Sequence, residues 1–255
     1  FAPRLQADSP SRLAENFAEC VASFNSTTNV RVLPGASLYG WIRDWMGVEE
    51  ASYLVYDDPD LFEEMVETIT QISLTVYEKA FALGVQADAC GMWEDMCYSG
   101  GPLLAPSVFK KVLVPRYKRI TDLLRKHGVE FTWVDCDGKI DDLIPLWMEG
   151  GVNVMFPIEV GTWGADPVAM RKEYGRDLLL MGGVGKRILA ESKEAITKEV
   201  ERLAPLVDEG GFIPMPDHRV PPDVPYHYFL HYIKEARRVW GKETNLRPAP
   251  ALEEE

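Results

Sequence analysis

Short apolar runs, nearly every one followed at once by a carboxylate, a glycine pair or a histidine, alternate with amphipathic segments along most of this chain. The runs lie near residues 30, 86, 129, 152, 178 and 212. They are apolar throughout rather than alternating, which predicts strands buried on both faces. Strand, helix, strand, helix, joined by short polar turns, is the order of a parallel α/β sheet.

The helical segments carry their own punctuation. Asp58-Pro59 opens one, with Leu61, Met65, Ile69, Ile72, Val76 and Leu83 as its apolar stripe and Gly84 at its end. Leu13, Phe17, Cys20 and Phe24 predict an earlier helix over 10–24. Further helices are expected over 107–127, 139–149, 166–175, 192–209 and 226–240. Pro115 falls inside the first of these and should kink or split it. A polar acidic tail from about 242 is expected to be loose.

Six strands would satisfy an open doubly wound sheet, whereas a (β/α)8 barrel needs eight. The placement of the chemically capable residues favours the barrel. Nearly every strand delivers one at its C-terminal end, and in a barrel those ends share one mouth. The expectation is a single α/β domain over 1–255, a TIM-type barrel lacking its first two strands in this chain. A barrel so opened exposes two edges. Either a further segment or a partner, such as a second copy in a homodimer, is expected to cover them.

The formal charge of −13 argues against nucleic acid and anionic membranes as partners. No apolar run approaches the roughly 18 residues of a membrane helix. The four cysteines, Cys20, Cys90, Cys97 and Cys136, form no C-x-x-C pair. Unpaired thiols fit a reduced, cytoplasmic protein.

Asp135-Cys136-Asp137-Gly138 ends the run Val129–Val134. Its two aspartates, two apart in an extended strand, point the same way. They repel unless a proton, a metal or a cationic ligand lies between them. A solvated turn that caps the next helix is the plainer alternative. Glu94, Asp95, Glu159, Asp217 and His218 also follow strands. Each alone reads as turn chemistry or a salt bridge, but convergence on one rim would recruit a cation or raise the carboxyl pKa values. Cys136 should point away, into the core. Trp41 and Trp45 either line a pocket or belong to a buried helix. The turn Gly182-Gly183-Val184-Gly185 either binds an anion, with Gly183 as a substrate contact, or is a tight βα connection.

At these residues the chain resembles the uroporphyrinogen decarboxylase superfamily. The resemblance rests on Trp93-Glu94-Asp95, Asp135–Gly138, Phe156-Pro157-Ile158-Glu159, Leu180–Val184 and Pro214–Pro222. It implies a (β/α)8 barrel and one of two activities: decarboxylation in porphyrin biosynthesis, or methyl transfer to or from a corrinoid carried by a partner protein. Thiol-directed methyltransferases of the superfamily carry His-x-Cys-Gly where this chain has Asp135-x-Asp137-Gly138. The resemblance therefore implies oxygen and nitrogen ligands for a divalent metal, zinc foremost: Asp135, Asp137, Glu159 and His218. Glu94, Asp137 and His218 are the implied catalytic residues. Trp41, Trp45 and Trp93 would form an apolar slot for a methoxylated aromatic donor in an O-demethylation.

Overall fold

The structure, a computed structural model, describes residues 2–241. The tail expected to be loose lies outside the described residues. In chain order the strands are β1 (Val32–Pro34), β2 (Ala89–Trp93), β3 (Cys97–Tyr98), β4 (Gly101–Pro102), β5 (Phe131–Asp135), β6 (Val154–Ile158), β7 (Leu179–Val184) and β8 (Phe212–Pro216). β3 and β4 form a small antiparallel hairpin. The other six form one parallel sheet in the order β1-β2-β5-β6-β7-β8. Strand order therefore follows chain order with no reversal. A doubly wound sheet would contain a switch point. The serial order is instead that of a TIM-type barrel arc, α/β in class, with β1 and β8 unpaired with each other among the described residues.

The strands match the expected runs to within a few residues, and the reason is visible in the core. Cys90, Met92, Val134, Met155, Leu180 and Phe212 are buried between the sheet and its helices. The long helix Pro59–Ala82 begins where Asp58 accepts the Leu61 N–H at 3.0 Å, and Ser192 caps Lys193–Glu209 by accepting from Ala195 at 3.1 Å.

Two helical expectations are corrected and one is met. The first helix runs Phe17–Ser26, preceded by a separate 3-10 turn at Pro10–Arg12, so Leu13 lies outside it. The helix expected over 139–149 covers only Ile144–Glu149. Pro145 is suited only to a first turn, and residues before it form turns. Around Pro115 the segment does change geometry. A π-helical turn, Phe109–Leu113, precedes Val114–Lys126, which absorbs the hydrogen bond that proline cannot make. Among the described residues no helix is long and apolar enough to cross a membrane.

Candidate active site

Because the six strands are parallel, their C-terminal ends share one side of the sheet. Register then aligns the side chains there. Trp93 on β2 pairs with Asp135 on β5, and Asp135 pairs with Phe156 on β6. All three line a cavity of about 540 Å³, together with Asp95, Asp137, Pro157, Met215, Pro216, His218, Arg219, Val220 and Phe229. That volume suits a small molecule.

Three residues expected from the sequence meet at one point. Asp137, Glu159 and His218 offer ligand atoms that all lie within 4.8 Å of one another. His218 Nε2 is 3.2 Å from Asp137 Oδ2. Glu159 is buried, and both its oxygens are oriented by the chain. The Gly138 N–H donates to Oε2 at 2.7 Å, and the Thr162 hydroxyl donates to Oε1 at 2.9 Å. Gly138 has φ +92°, and a Cβ there would come within 2.8 Å of the Cys97 carbonyl carbon. Only glycine lets this N–H reach the carboxylate.

Asp135 stands beside this trio without joining it. Burial, then the neighbouring charges of Asp137 and Asp95, push its carboxyl up to about 6, while His218 pulls it down. The Asp137 carboxyl is also raised, first by burial and then by the charge of Glu159, with His218 opposing. The carboxylates thus crowd one another, an arrangement that gains from a cation. Oxygen and imidazole donors suit zinc and other divalent first-row ions. Oriented carboxylate lone pairs remain on Glu159 after its two hydrogen bonds. The trio therefore fits a divalent metal.

Glu94 lies apart from the cluster. It is fully buried and outside the cavity lining. It accepts from the N–H groups of Leu38 (2.7 Å), Tyr39 (2.9 Å) and Gly40 (3.0 Å), at the start of the helix Gly40–Met46, and from the Tyr117 hydroxyl. Burial raises its pKa against these donors. Asp217 is likewise committed: it accepts from Gly161 and Lys186 N–H groups at 2.9 Å each, tying the ends of β6, β7 and β8 together. Asp95 takes the unusual φ of +47° and is held by Arg43, at 3.4 Å, whose guanidinium lies 5.0 Å from the centre of the Trp93 ring.

Of the expected aromatic slot, Trp93 lines the cavity, and Trp41 and Trp45 do not. They stack on each other at 6.3 Å, with Trp45 over half exposed beside a separate surface hollow lined by Leu5, Leu61 and Met65. Phe156 and Phe229 supply the cavity's other aromatic faces. Gly183 is buried away from it. A Cβ there would meet Pro167 at 2.9 Å and the Phe212 ring at 3.2 Å, so the residue serves close packing. Cys136 faces the core, as expected, its sulfur accepting from the Met96 N–H at 3.3 Å. Thr162 and Arg219 had not stood out. The first sits three residues beyond Glu159, and the second adjoins His218.

The profile described as Uroporphyrinogen decarboxylase (URO-D) matches residues 44–239, well over half of the chain. The chain belongs to the uroporphyrinogen decarboxylase family. Two curated relatives named uroporphyrinogen decarboxylase are similar to it. One, from Sulfurovum sp. (strain NBC37-1), is 25% identical over 191 residues; the other, from Aliarcobacter butzleri (strain RM4018), is 23% identical over 189. Each match covers 74% of this chain and 52% of the relative, so the chain spans about half the length of the curated relatives it matches. Among solved structures, a methyltransferase from Methanosarcina mazei shares the fold with a TM-score of 0.63 at 15% identity. The match covers 87% of this chain and 62% of that one. Within this family's barrel, the Asp137–Glu159–His218 trio sits at the C-terminal mouth, where barrel active sites gather.

Proposed function

We propose that this member of the uroporphyrinogen decarboxylase family is a metal-assisted methyltransferase. It would move a methyl group from a small methoxylated aromatic donor to a corrinoid carried by a partner protein. The observation that carries the reading is the meeting of Asp137, Glu159 and His218 within 4.8 Å beside aromatic walls. The M. mazei structural neighbour, itself a methyltransferase, is consistent with it.

Asp137, Glu159 and His218 would hold the divalent ion, zinc foremost. Bound there, the ion supplies Lewis-acid polarisation of the donor's ether oxygen. Trp93, Phe156 and Phe229 present apolar faces for a ring, and their burial of it keeps water from the reacting oxygen. Gly138 and Thr162 keep Glu159 in one orientation, the kind of support on which metal affinity depends. Asp135, beside the trio in the same cavity, would return a proton to the released aromatic oxygen.

The second reading is a carboxy-lyase of uroporphyrinogen type, and the names of the two curated relatives favour it. The acidic cavity is a poor host for a polyanion. A cobalt(I) methylation assay with methoxylated aromatics, run with and without chelator, separates the two. The methyltransferase reading predicts methyl-cobalt formation that chelation abolishes and stoichiometric zinc restores. Carboxylate loss from uroporphyrinogen, unaffected by chelator, would select the other.

A further inference from the structure

We infer that Arg219 is an anchoring residue for a carboxylate on the methyl donor, so that the cavity selects small aromatic acids over neutral aromatic ethers. This deepens the methyltransferase reading and rests on it for the identity of the ligand as a donor.

Arg219 is the one lysine or arginine among the residues lining the cavity. The chain has 40 acidic and 27 basic residues, and several of its arginines are held in ion pairs. Arg31 pairs with Asp88, Arg116 with Glu63 and Glu67, Arg202 with Glu199 and Asp166, and Arg238 with Glu235. Arg43 holds Asp95, one of the cavity's lining residues. Arg219 shares the space with Asp95, Asp135 and Asp137, yet makes no ion pair and no hydrogen bond among the described residues. Arg219 is exposed, so its five N–H donors stand at the rim of a cavity that otherwise offers aromatic, proline, methionine and acidic surface. A planar guanidinium in that state matches a carboxylate in two parallel hydrogen bonds.

The position limits the size of the ligand. Arg219 directly follows His218, and consecutive Cα atoms are about 3.8 Å apart. An anion held by the guanidinium therefore stands within the combined reach of the Arg219 and His218 side chains from the metal-ligand trio. The cavity's aromatic walls, Trp93, Phe156 and Phe229, favour a single aromatic ring over a hydrated dianion.

The acidic wall sets a condition. Asp135 and Asp137 repel an entering carboxylate unless a divalent ion offsets them. Metal and aromatic acid should therefore bind with positive coupling, each strengthening the other by the same factor.

The test is calorimetric titration of the full chain, with and without one equivalent of zinc, using two probes: 4-methoxybenzoate and methoxybenzene. Three proteins are compared: the unaltered chain, Arg219→Gln and Arg219→Lys. Zinc content is measured on each. The inference predicts that the unaltered chain binds 4-methoxybenzoate at least about ten-fold more tightly than methoxybenzene, the usual scale of a hydrogen bond to a charged group. Arg219→Gln should erase that preference while methoxybenzene affinity and zinc content stay constant, and Arg219→Lys should restore part of it. Equal binding of the two probes, binding of neither, or a preference that survives Arg219→Gln overturns the inference. The methyltransferase reading fails separately. Absent zinc binding with the carboxylate preference intact would remove the metal and leave Arg219 as the anion site. Chelator-sensitive methyl transfer without any preference would do the reverse.

Discussion

Asp135 carries an electrostatic load that no hydrogen bond to its side chain relieves among the described residues. Its carboxyl is raised from an ordinary 3.8 to about 6 by burial and by Asp137 and Asp95. A carboxyl whose pKa is higher in the folded chain favours folding while protonated. That contribution is fully present below about 3.8 and is lost as pH rises through about 6. The metal-free chain is thus predicted to gain stability on acidification from pH 7 toward 5 through this group. Asp135→Asn should raise the melting temperature at pH 7.5 by about 2 °C, with the half-exposed position discounted for solvent screening. The gain should vanish near pH 4. Scanning calorimetry at both pH values checks it, and a gain that persists at pH 4 would assign the effect to something other than charge.

Residue by residue, the strand-end carboxylates are legible in the sequence, but the way each faces is only partly so. Strand alternation continued through Asp135-Cys136-Asp137 buries Cys136 between the two aspartates. Past Trp93 the alternation breaks: Asp95 takes φ +47°, and Glu94 is buried against the start of the helix Gly40–Met46, a turn that residue types alone do not specify. Arg219 offered no comparable signal, since an arginine after a strand says nothing of whether a carboxylate will find it.

At the scale of elements, Glu94 is a joint. It links the end of β2 to the start of the helix Gly40–Met46 through three backbone N–H groups, and to the helix Val114–Lys126 through Tyr117. Glu94→Gln would aim an amide nitrogen at groups that are themselves donors. It is predicted to cost roughly 3 kcal/mol of folding stability, read by urea denaturation. Tyr117→Phe should cost roughly 2 kcal/mol by removing one hydrogen bond to a charged acceptor. Zinc content of the folded Glu94→Gln fraction should be unchanged. Its loss would instead place Glu94 in the metal site. Element type and order were readable from apolar runs, caps and glycines. Element ends were less so, because Pro145 and the π turn before Pro115 reset helix boundaries that an apolar stripe alone extends.

For the whole molecule, serial strand order follows from short βα connections, and it brings distant residues to one mouth. It also leaves β1 and β8 without an outer neighbour among the described residues, with Ile213 of β8 56% exposed. Unpaired edges recruit other strands. Light scattering on the purified chain is predicted to show concentration-dependent association. A single monomeric mass over a hundred-fold concentration range would contradict this. The barrel class was legible because strand-end chemistry recurs around the arc. What covers the edges was not, since edge pairing depends on backbone groups that every sequence shares.

Asp137, Glu159 and His218, brought from three strand ends, are proposed to hold one divalent ion through oxygen and nitrogen. X-ray absorption on the chain loaded with one equivalent of zinc tests it most directly, with the His218→Ala variant as its control. The account predicts a first shell of oxygen and nitrogen only, at about 2.0–2.2 Å, and loss of stoichiometric binding in His218→Ala. A sulfur shell near about 2.3 Å, or zinc bound undiminished without His218, would contradict it.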